Sequence, residues 1–297
     1  MTMDKVPVRT SFASFPIISI FTAILILFSN VTWADLCFDE TAEYESRIHD
    51  CEIKANENDA KAQYQLASLY FDWRSPKHNT EKSFFWAKKS AEKNNAKAQA
   101  LLGLHYDWGK GVKEDNKQAL FWMRKAAEQG YDYAQYKLGW MNSVGIALYR
   151  DIGLSFEEQE IRRQEEMVKW YKAAAKQGYV AAQAELAELY YKGQYVDRDE
   201  AKAFSLSQKA AKQGSSEGQY YLGKSYLEGR GTQQNYTLAL KWLKKSADQG
   251  HADAQYNLGG IYANGQGTMQ NVEEAIKWYR KSAEQGNSSA QYNLGVM

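Results

Sequence analysis

Few residues in this chain combine a type and a spacing that could carry out chemistry, and the first to consider are two cysteines, Cys37 and Cys51. An even cysteine count in an exported protein favours one disulfide over two free thiols. A helix that starts near Thr41 would carry Cys51 about 15 Å along its axis, whereas four extended residues reach back about 14 Å at most. The bridge therefore requires a later helix start or a bent entry. A metal site is less favoured, because two thiols and the nearby His49 leave a tetrahedral centre one ligand short.

Three further patterns could belong to an enzyme, and each has a simpler explanation. Ser90-Ala-Glu-Lys93 fits the Ser-x-x-Lys pattern of penicillin-recognising enzymes, but it lies in columns of packing and capping residues that recur along the chain. Glu185 and Glu188 share a helix face, as catalytic carboxylates can, yet Lys192 follows Glu188 at i+4 and an exposed ion-paired face accounts for all three. The Gly-x-Gly sequences lack the third glycine and the Lys-Ser/Thr of phosphate-binding loops, so they are predicted to be turns.

The four histidines are spread over separate parts of the chain, and no two have the i, i+4 spacing of a helical metal site. They are predicted to be surface side chains: His49, His78, His105 and His251. The sequence therefore predicts no catalytic residue, no metal and no cofactor.

The composition indicates a folded, helical protein without a surface for polyanions. Hydrophobic residues make up 44% of the chain and charged residues 25%, as in ordinary soluble proteins. Pro76 is the only proline beyond the first 34 residues, which favours helices throughout. Lys plus Arg number 37 against 36 acidic residues, and the balance is even once residues 1–34 are left out. Without a basic excess, nucleic acid and anionic lipid are not predicted as partners.

Residues 1–34 are predicted to be a cleaved secretory signal peptide. Basic residues precede an apolar run over residues 15–28, and Ala34 ends a Thr-Trp-Ala cleavage site before Asp35. The run is shorter than the roughly 20 apolar residues of a spanning helix; an uncleaved anchor is the alternative. Leu36 before Cys37 is not the small residue of a lipoprotein cleavage site. The mature protein is therefore expected in the periplasm or outside the cell, without membrane insertion.

A period of 36 residues organises the rest of the chain. The string Ala-Gln-x-x-Leu-Gly/Ala recurs with spacings of 36, 36, 48, 36, 36 and 36, and its copies begin at Ala62, Ala98, Ala134, Ala182, Gly218, Ala254 and Ala290. Such repetition identifies stacked helical hairpins, each too small to bury its apolar face alone. Residues that occupy the same position in successive copies form a column. Gln, Leu and Tyr columns at i, i+3 and i+7 spacing mark the buried face of the first helix of each unit, helix A. Trp and Ala columns mark the second, helix B.

Glycine and N-cap columns predict where these helices begin and end. Gly109 and its equivalents can take the left-handed conformation that stops helix A, and Asp115 and its equivalents stand where an N-cap starts helix B. Helix B is predicted to end at Gly130 and its equivalents, with Asn94 in this role in the first unit. Residues 40–57 look like a further helix B, which makes residues 35–61 an N-terminal linker and capping helix.

These columns resemble the Sel1-like repeat family, a relative of the tetratricopeptide repeats. The resemblance rests on the 36-residue spacing, the Gly-x-Gly loops and the Ala-Glu-Gln-Gly ending of helix B, and it covers residues 62–297 as six repeats and the start of a seventh. It implies an all-α, right-handed α-solenoid of stacked antiparallel helix pairs. It also implies an exported protein that binds other proteins and catalyses no reaction. Two alternatives stay open: an immunity or inhibitor protein that neutralises a periplasmic toxin or enzyme, and a cell-wall or penicillin-active hydrolase.

A partner-binding patch is predicted on helix A at repeat positions 4, 7 and 11, counted from the first residue of the repeated string. At about 100° per residue these positions point roughly 140° or more away from the buried columns, so they are expected to face solvent. Units one, four and six are polar there, whereas units two and three have Leu101, Leu104, Trp108, Trp140 and Val144. Tyr221 extends this patch, and Glu185 and Glu188 form its acidic rim. Aromatic anchors in polar surroundings are typical of interaction hot spots. Burial under the insert of unit three is the alternative.

The third unit carries twelve extra residues between Asn142 and Met167. Ser155-x-x-Glu158 is a capping box that lies eight positions before Arg163, the residue aligned with the usual N-cap. Helix B of this unit is therefore predicted to gain eight residues, about 12 Å, and to leave four for the loop. At the other end, the sequence stops eight residues into the seventh unit. Self-association through this uncapped end is expected as one way to cover it.

Overall fold

The computed structural model describes residues 36–145 and 154–297. Fourteen α-helices and no strand occur in these ranges; they are α1 Tyr44–Asn56, α2 Ala60–Phe71, α3 Thr80–Glu92, α4 Ala96–Trp108, α5 Asn116–Glu128, α6 Asp132–Ser143, α7 Phe156–Lys176, α8 Val180–Lys192, α9 Glu200–Lys212, α10 Ser216–Glu228, α11 Tyr236–Asp248, α12 Ala252–Asn264, α13 Val272–Glu284 and α14 Ser288–Val296. The predicted signal peptide lies outside the described residues. Within the two ranges, none of the helices combines the length and the apolar character that a membrane span requires.

The helices form the predicted all-α solenoid. The even-numbered helices α2 to α14 are the A helices and the odd-numbered helices α3 to α13 are the B helices, while α1 precedes them. Each helix packs against the next along the chain, and the A helices of neighbouring units also touch, as α2 touches α4 and α8 touches α10. A unit thus buries its apolar face only when both neighbours are present.

The predicted columns fix the helix ends. The Asp115 carboxylate caps α5 by accepting the backbone N–H groups of Lys117 and Gln118. Asn79, Asp199, Asn235 and Asn271 cap the equivalent helices. Gly109 ends α4 with a φ of 61° in the left-handed region. Glycine is required at position 231 for two reasons. The φ of Gly231 is +68°, and a Cβ atom there would lie 2.1 Å from the carbonyl oxygen of Glu200.

Pairs of glutamines join each unit to its neighbours. In unit two, Gln99 Nε2 donates to the carbonyl of Ala91 at 3.3 Å, and its Oε1 accepts from Gln129 Nε2 at 2.6 Å. The same glutamine pair recurs as Gln135 with Gln177, Gln183 with Gln213, Gln219 with Gln249, and Gln255 with Gln285. These hydrogen bonds satisfy buried amide groups that would otherwise destabilise the stack.

The first unit breaks this pattern. Lys93 stands where the other units have the second glutamine, and its ammonium donates to the backbone carbonyl and the side-chain oxygen of Asn58. The Oε1 atom of Gln63 is consequently buried without a hydrogen-bond partner.

Helix A has glycine wherever helix B brings a large side chain against it. A Cβ atom on Gly139 would lie 2.6 Å from Cδ1 of Tyr171. Equivalent close approaches pair Gly103 with Met123, Gly223 with Leu243, and Gly259 with Tyr279. In the two units where helix A has alanine instead, Ala67 and Ala187, the equivalent residues of helix B are Ala87 and Ser207. Helix A therefore has the larger residue, alanine, only where the facing residue of helix B is small.

The insert of unit three lengthens helix B as predicted. Helix α7 has 21 residues where the other B helices have 13. It begins with the predicted capping box, in which Ser155 Oγ accepts from the backbone of Glu158 and the Glu158 carboxylate accepts from the backbone of Ser155. Arg163, which aligns with the usual N-cap, lies inside the helix and donates to the carbonyl of Asn142. Residues 146–153 of the insert lie outside the described residues.

A disulfide closes the N-terminal segment onto α1. Cys37 and Cys51 are bridged with a Cα–Cα distance of 4.8 Å. The bridge fits because α1 starts at Tyr44, three residues later than a start at Thr41. The backbone N–H of Cys37 also donates to Asp50 Oδ2 at 3.0 Å, so segment and helix are held at two points.

Candidate functional site

The A helices carry the predicted patch, and the structure separates its residues into buried and exposed ones. Leu101 and Leu104 are each 8% exposed and Tyr221 is 3% exposed. The expectation that these three side chains face solvent is therefore wrong. Trp108 and Val144 are about half exposed, and Trp140 is partly exposed.

Lateral contact between neighbouring A helices explains the burial of Leu101 and Tyr221, which both occupy position 4. Position 4 of one unit lies against position 10 of the preceding unit. In this register Lys137 Nζ lies 3.0 Å from Asp107 Oδ2, and the ring centroid of Tyr221 lies 5.3 Å from that of Tyr191. A projection around one isolated helix omits this contact, so it assigns position 4 to solvent when the neighbouring unit covers it.

The exposed aromatic side chains are held in place by their neighbours. The Trp108 ring stacks on Phe71 of the preceding unit, with centroids 6.0 Å apart and planes 19° from parallel. Lys137 Nζ lies 3.7 Å from the Trp140 ring centroid, in cation–π geometry. We use the name tryptophan edge for four apolar side chains of units one to three: Phe71, Trp108, Trp140 and Val144. At the position of Trp108 and Val144, units four to six have Lys192, Glu228 and Asn264.

Acidic side chains follow the tryptophan edge along the A helices. Glu188 forms the predicted ion pair with Lys192. Burial, the negative charge of Glu188 and a hydrogen bond to its carboxylate together raise the pKa of Tyr221. Burial also raises the pKa of Tyr191, whose hydroxyl donates to Glu228 Oε2 at 2.6 Å. The tyrosine hydroxyls thus stay protonated and act as donors to carboxylates.

Glu185 is the carboxylate with the most unusual environment in this row. Burial raises its pKa to about 7, with further increases from the negative charges of Glu188 and Glu217. Lys192 acts in the opposite direction. A cation that approached Glu185 would relieve this unfavourable charge.

A serine and a histidine meet inside the solenoid, away from this surface. His105 is fully buried, which corrects the expectation that all four histidines lie on the surface. Its Nε2 lies 2.8 Å from Ser83 Oγ and its Nδ1 lies 2.5 Å from the carbonyl oxygen of Lys110. Burial lowers the pKa of His105. Because Ser83 is also fully buried, the pair joins units one and two and has no access to a substrate.

The other candidate chemical groups occupy structural positions. Ser90 Oγ, the serine of the Ser-x-x-Lys pattern, donates to the carbonyl of Ala60 at 2.5 Å, and Ser246 and Ser282 make the same inter-unit bond. In the part of the chain that the structure describes, no group of three His, Cys, Asp or Glu side chains could hold a metal ion.

Sequence reasoning missed one charged side chain. Arg47 on α1 is only 8% exposed and lines a surface cavity at the N-terminal end of the A-helix face. Nothing in its sequence position sets it apart from the other charged residues of α1.

The family model of the Sel1 repeat matches most of the chain, at residues 60–95, 96–131, 132–157, 168–179, 180–215, 216–251, 252–287 and 288–297. Seven of these stretches begin at the first residue of an A helix, and the stretch 168–179 begins inside α7. The break between residues 157 and 168 coincides with the extended start of α7. No curated protein matches the chain in sequence.

Two solved structures are similar in sequence and fold. One is c5321, a protective antigen present in uropathogenic Escherichia coli strains and displaying an SLR fold, with 33% identity and a TM-score of 0.74; the match covers 86% of this chain and 52% of that one. This chain thus spans about half of that antigen's length. The other is a Sel1 repeat protein from Oxalobacter formigenes, with 30% identity and a TM-score of 0.65, covering 80% and 91% of the two chains. The repeat columns, the helix pairs and the family match together show that the chain belongs to the Sel1 repeat family.

Proposed function

We propose that this protein is an exported, non-catalytic scaffold that binds a protein partner along its A helices, with the tryptophan edge as the anchor. The observation that carries the proposal is the exposure of Trp108 and Val144 and the partial exposure of Trp140 on the neighbouring A helices of units two and three. Binding hot spots are enriched in tryptophan, and one half-exposed and one partly exposed tryptophan on neighbouring A helices fit that composition.

The surroundings of the tryptophan edge favour tight binding. Trp108 is held against Phe71 and Trp140 lies under Lys137, so little side-chain entropy remains to be lost on association. Trp140 packs against the buried cluster that contains Leu104, and Phe71 packs against the buried cluster that contains Leu101. Glu185 and Glu188 supply a polar rim, as most interfaces have around an apolar centre.

Export is supported by the chemistry of the N-terminal segment. The bridge between Cys37 and Cys51 would persist only in an oxidising compartment such as the periplasm or the extracellular space. The apolar run over residues 15–28 and the Thr-Trp-Ala site before Asp35 agree with this placement. The similar protein c5321 is described as a protective antigen, which fits a site of action outside the cytoplasm.

A capture experiment with a matched control tests the binding surface. Mature protein is immobilised and used to capture partners from periplasm and culture supernatant, and each captured band is then titrated against the variants. Trp108→Ala with Trp140→Ala should weaken binding by at least about 2 kcal/mol while the circular dichroism spectrum is kept. Phe121→Ala, which removes a side chain 48% exposed on helix α5, is the control and should leave binding unchanged. Equal loss in both variants, or unfolding of the double variant with normal binding by the remaining folded protein, would contradict the assignment.

Cellular fractionation and mass spectrometry test export. A mature chain that begins at Asp35 in the periplasm or medium is expected, because Ala34 ends the cleavage site. Full-length protein in the membrane fraction would show that the apolar run is an anchor, and a different first residue would refute the site.

A further inference from the structure

A polar cavity of about 470 Å³ opens at the N-terminal end of the A-helix face. Its wall is built from α1, the segment before it, α2 and the start of α4. Gln65 and Ser68, at repeat positions 4 and 7 of unit one, line it together with Tyr64. The cavity is therefore continuous with the surface proposed above to bind a partner.

Cations outnumber anions in this cavity once internal ion pairs are set aside. Arg74 and Asp72 form an ion pair at 2.8 Å, and the hydroxyl of Tyr44 donates to the same carboxylate at 2.6 Å. The hydrogen bonds from Arg74, and then that from Tyr44, hold the pKa of Asp72 well below its ordinary value. Asp72 is thus already neutralised by groups within the protein.

Two lining cations remain, opposed by one exposed acid. Lys97 is exposed at the start of α4, Arg47 projects from α1, and Glu40 lies in the segment before α1. Arg47 is more than nine-tenths buried, and its Nε has no hydrogen-bond partner. A buried guanidinium whose donors are not all satisfied is costly. An anion that meets the part of Arg47 lining the cavity would therefore be stabilised by its positive charge.

The chemistry of Arg47 selects the kind of acceptor. A guanidinium presents parallel N–H donors that match the two oxygens of a carboxylate, and Lys97 adds a second positive charge on the same wall. Gln65 and Ser68 supply further polar groups for the peptide bond next to such a carboxylate.

A second cavity, of about 460 Å³, adjoins the first and has an apolar lining residue. The two cavities share Tyr64, Gln65 and Lys97, and Phe38 closes the second one. Phe38 is 45% exposed although it lies next to the disulfide-bonded Cys37, so it offers a ring to a ligand side chain. An anion site and an apolar site separated by one shared wall match the carboxylate and the apolar side chain of a peptide's last residue.

We propose that this end of the solenoid binds the C-terminal carboxylate of a partner polypeptide whose last side chain is apolar. The inference rests on the proposed function in so far as the ligand is a protein. Arg47 binds the carboxylate, Lys97 adds charge attraction, and Phe38 with Tyr64 receives the side chain. The disulfide between Cys37 and Cys51 keeps Phe38 and α1 in the relative positions that the site needs.

Synthetic peptides test the proposal directly on the full mature chain. The probe is the pentapeptide Gly-Ser-Gly-Gly-Phe with a free C-terminus, titrated by calorimetry. Its C-terminal amide should bind at least tenfold more weakly, because the negative charge is lost. The free acid that ends in Gly in place of Phe should also bind more weakly, because the apolar site stays empty. Equal binding of acid and amide would overturn the proposal. A failure of all three peptides to bind would also overturn it.

Variants of the chain identify the site. Arg47→Lys keeps the charge but loses the planar pair of donors, and it should weaken binding of the free acid about tenfold with little effect on the amide. Lys97→Gln, at an exposed position, provides a second test that leaves the fold intact. Lys88→Gln removes an exposed charge from α3 and is the matched control, expected to bind as wild type. Equal affinities for Lys97→Gln and Lys88→Gln would contradict the site.

Failure of this inference and failure of the proposed function give different results. If the peptides do not bind while partner capture still depends on Trp108 and Trp140, only the carboxylate site is refuted. If the peptides bind as expected while capture is insensitive to the tryptophans, the carboxylate site stands and the tryptophan edge is refuted.

Discussion

Two adjacent glycines in α12 allow the contribution of interhelix packing to be measured separately from helix propensity. A Cβ atom on Gly259 would lie 2.7 Å from Cδ1 and 2.8 Å from Cε1 of Tyr279, a ring that is only 4% exposed. A Cβ atom on Gly260 would meet only the Tyr279 hydroxyl, at an ordinary 3.6 Å. Both residues lie inside the same helix.

The two alanine variants should therefore change stability in opposite directions. Gly→Ala inside a helix stabilises by about 0.5–1 kcal/mol, because the unfolded chain loses freedom and the backbone is shielded. Gly260→Ala should show this gain. Gly259→Ala gains the same amount but forces a buried ring to move, and such overpacking costs about 1–3 kcal/mol. The difference between the two variants, about 1–3 kcal/mol, is the packing contribution.

Urea unfolding followed by circular dichroism measures the two changes, and hydrogen exchange in α12 and α13 locates them, since repeat proteins can unfold in parts. In a Tyr279→Ala background, Gly259→Ala should become stabilising, because the ring that it meets is gone. Unit one has this combination naturally, with Ala67 and Ala87. The reasoning is refuted if Gly259→Ala stabilises the protein as much as Gly260→Ala does.

Three further outcomes are expected. Lys93→Gln should raise the thermal midpoint, because the new amide can donate to the buried, unpartnered Oε1 of Gln63 and contribute about 0.5–1.5 kcal/mol, whereas the bonds to Asn58 that are lost are exposed to solvent and contribute less; an unchanged midpoint would contradict this. Glu185→Gln should be more stable than wild type at pH 8, and the difference should shrink as the pH falls from 7 towards 4.5, because the native state holds a proton that the unfolded chain releases; pH-independent thermal midpoints would contradict it. Replacing Cys37 and Cys51 by Ala should lower stability by about 2–4 kcal/mol, and a smaller loss on denaturant unfolding would show that the bridge constrains little.

The sequence predicted the fold in detail because the structural signals repeat. A single Asp115 or Gly109 is weak evidence for a helix end, but the same residue types at the same offset in other units are strong evidence. Even the exception was predictable, since Ser155 and Glu158 formed the capping box that lengthens α7. Local chemistry determines where these helices start and stop, and local chemistry can be seen in one sequence.

The exposure of the proposed binding surface was predicted less well because it depends on contacts between units. Trp108 and Val144 are exposed, whereas Leu101, Leu104 and Tyr221 are buried. The difference arises where one A helix covers part of the next, and a helical projection cannot show this. Arg47 was missed as well, because the sequence alone does not show which charged side chain of α1 is buried.

A second spacing in the sequence contains much of this missing information. One recurring set of residues that meet across a unit boundary is separated by 30 positions, as in the glutamine pair of Gln129 with Gln99 and the serine bond from Ser90 to Ala60. The ion pair between Lys137 and Asp107 has the same separation, because position 4 of each unit faces position 10 of the unit before it.

The insert shifts this register once. At the joint of units three and four the separation becomes 42, as in the bond from Gln177 to Gln135. In that register Glu185 is aligned with Ser143, whereas Lys137, at the same repeat position, has the carboxylate of Asp107. Glu185 is thus aligned with a hydroxyl where its counterpart has an opposite charge, and its burial beside Glu188 and Glu217 raises its pKa to about 7. The period of 36 predicts the stack, and the separation of 30 predicts which side chains must be compatible within it.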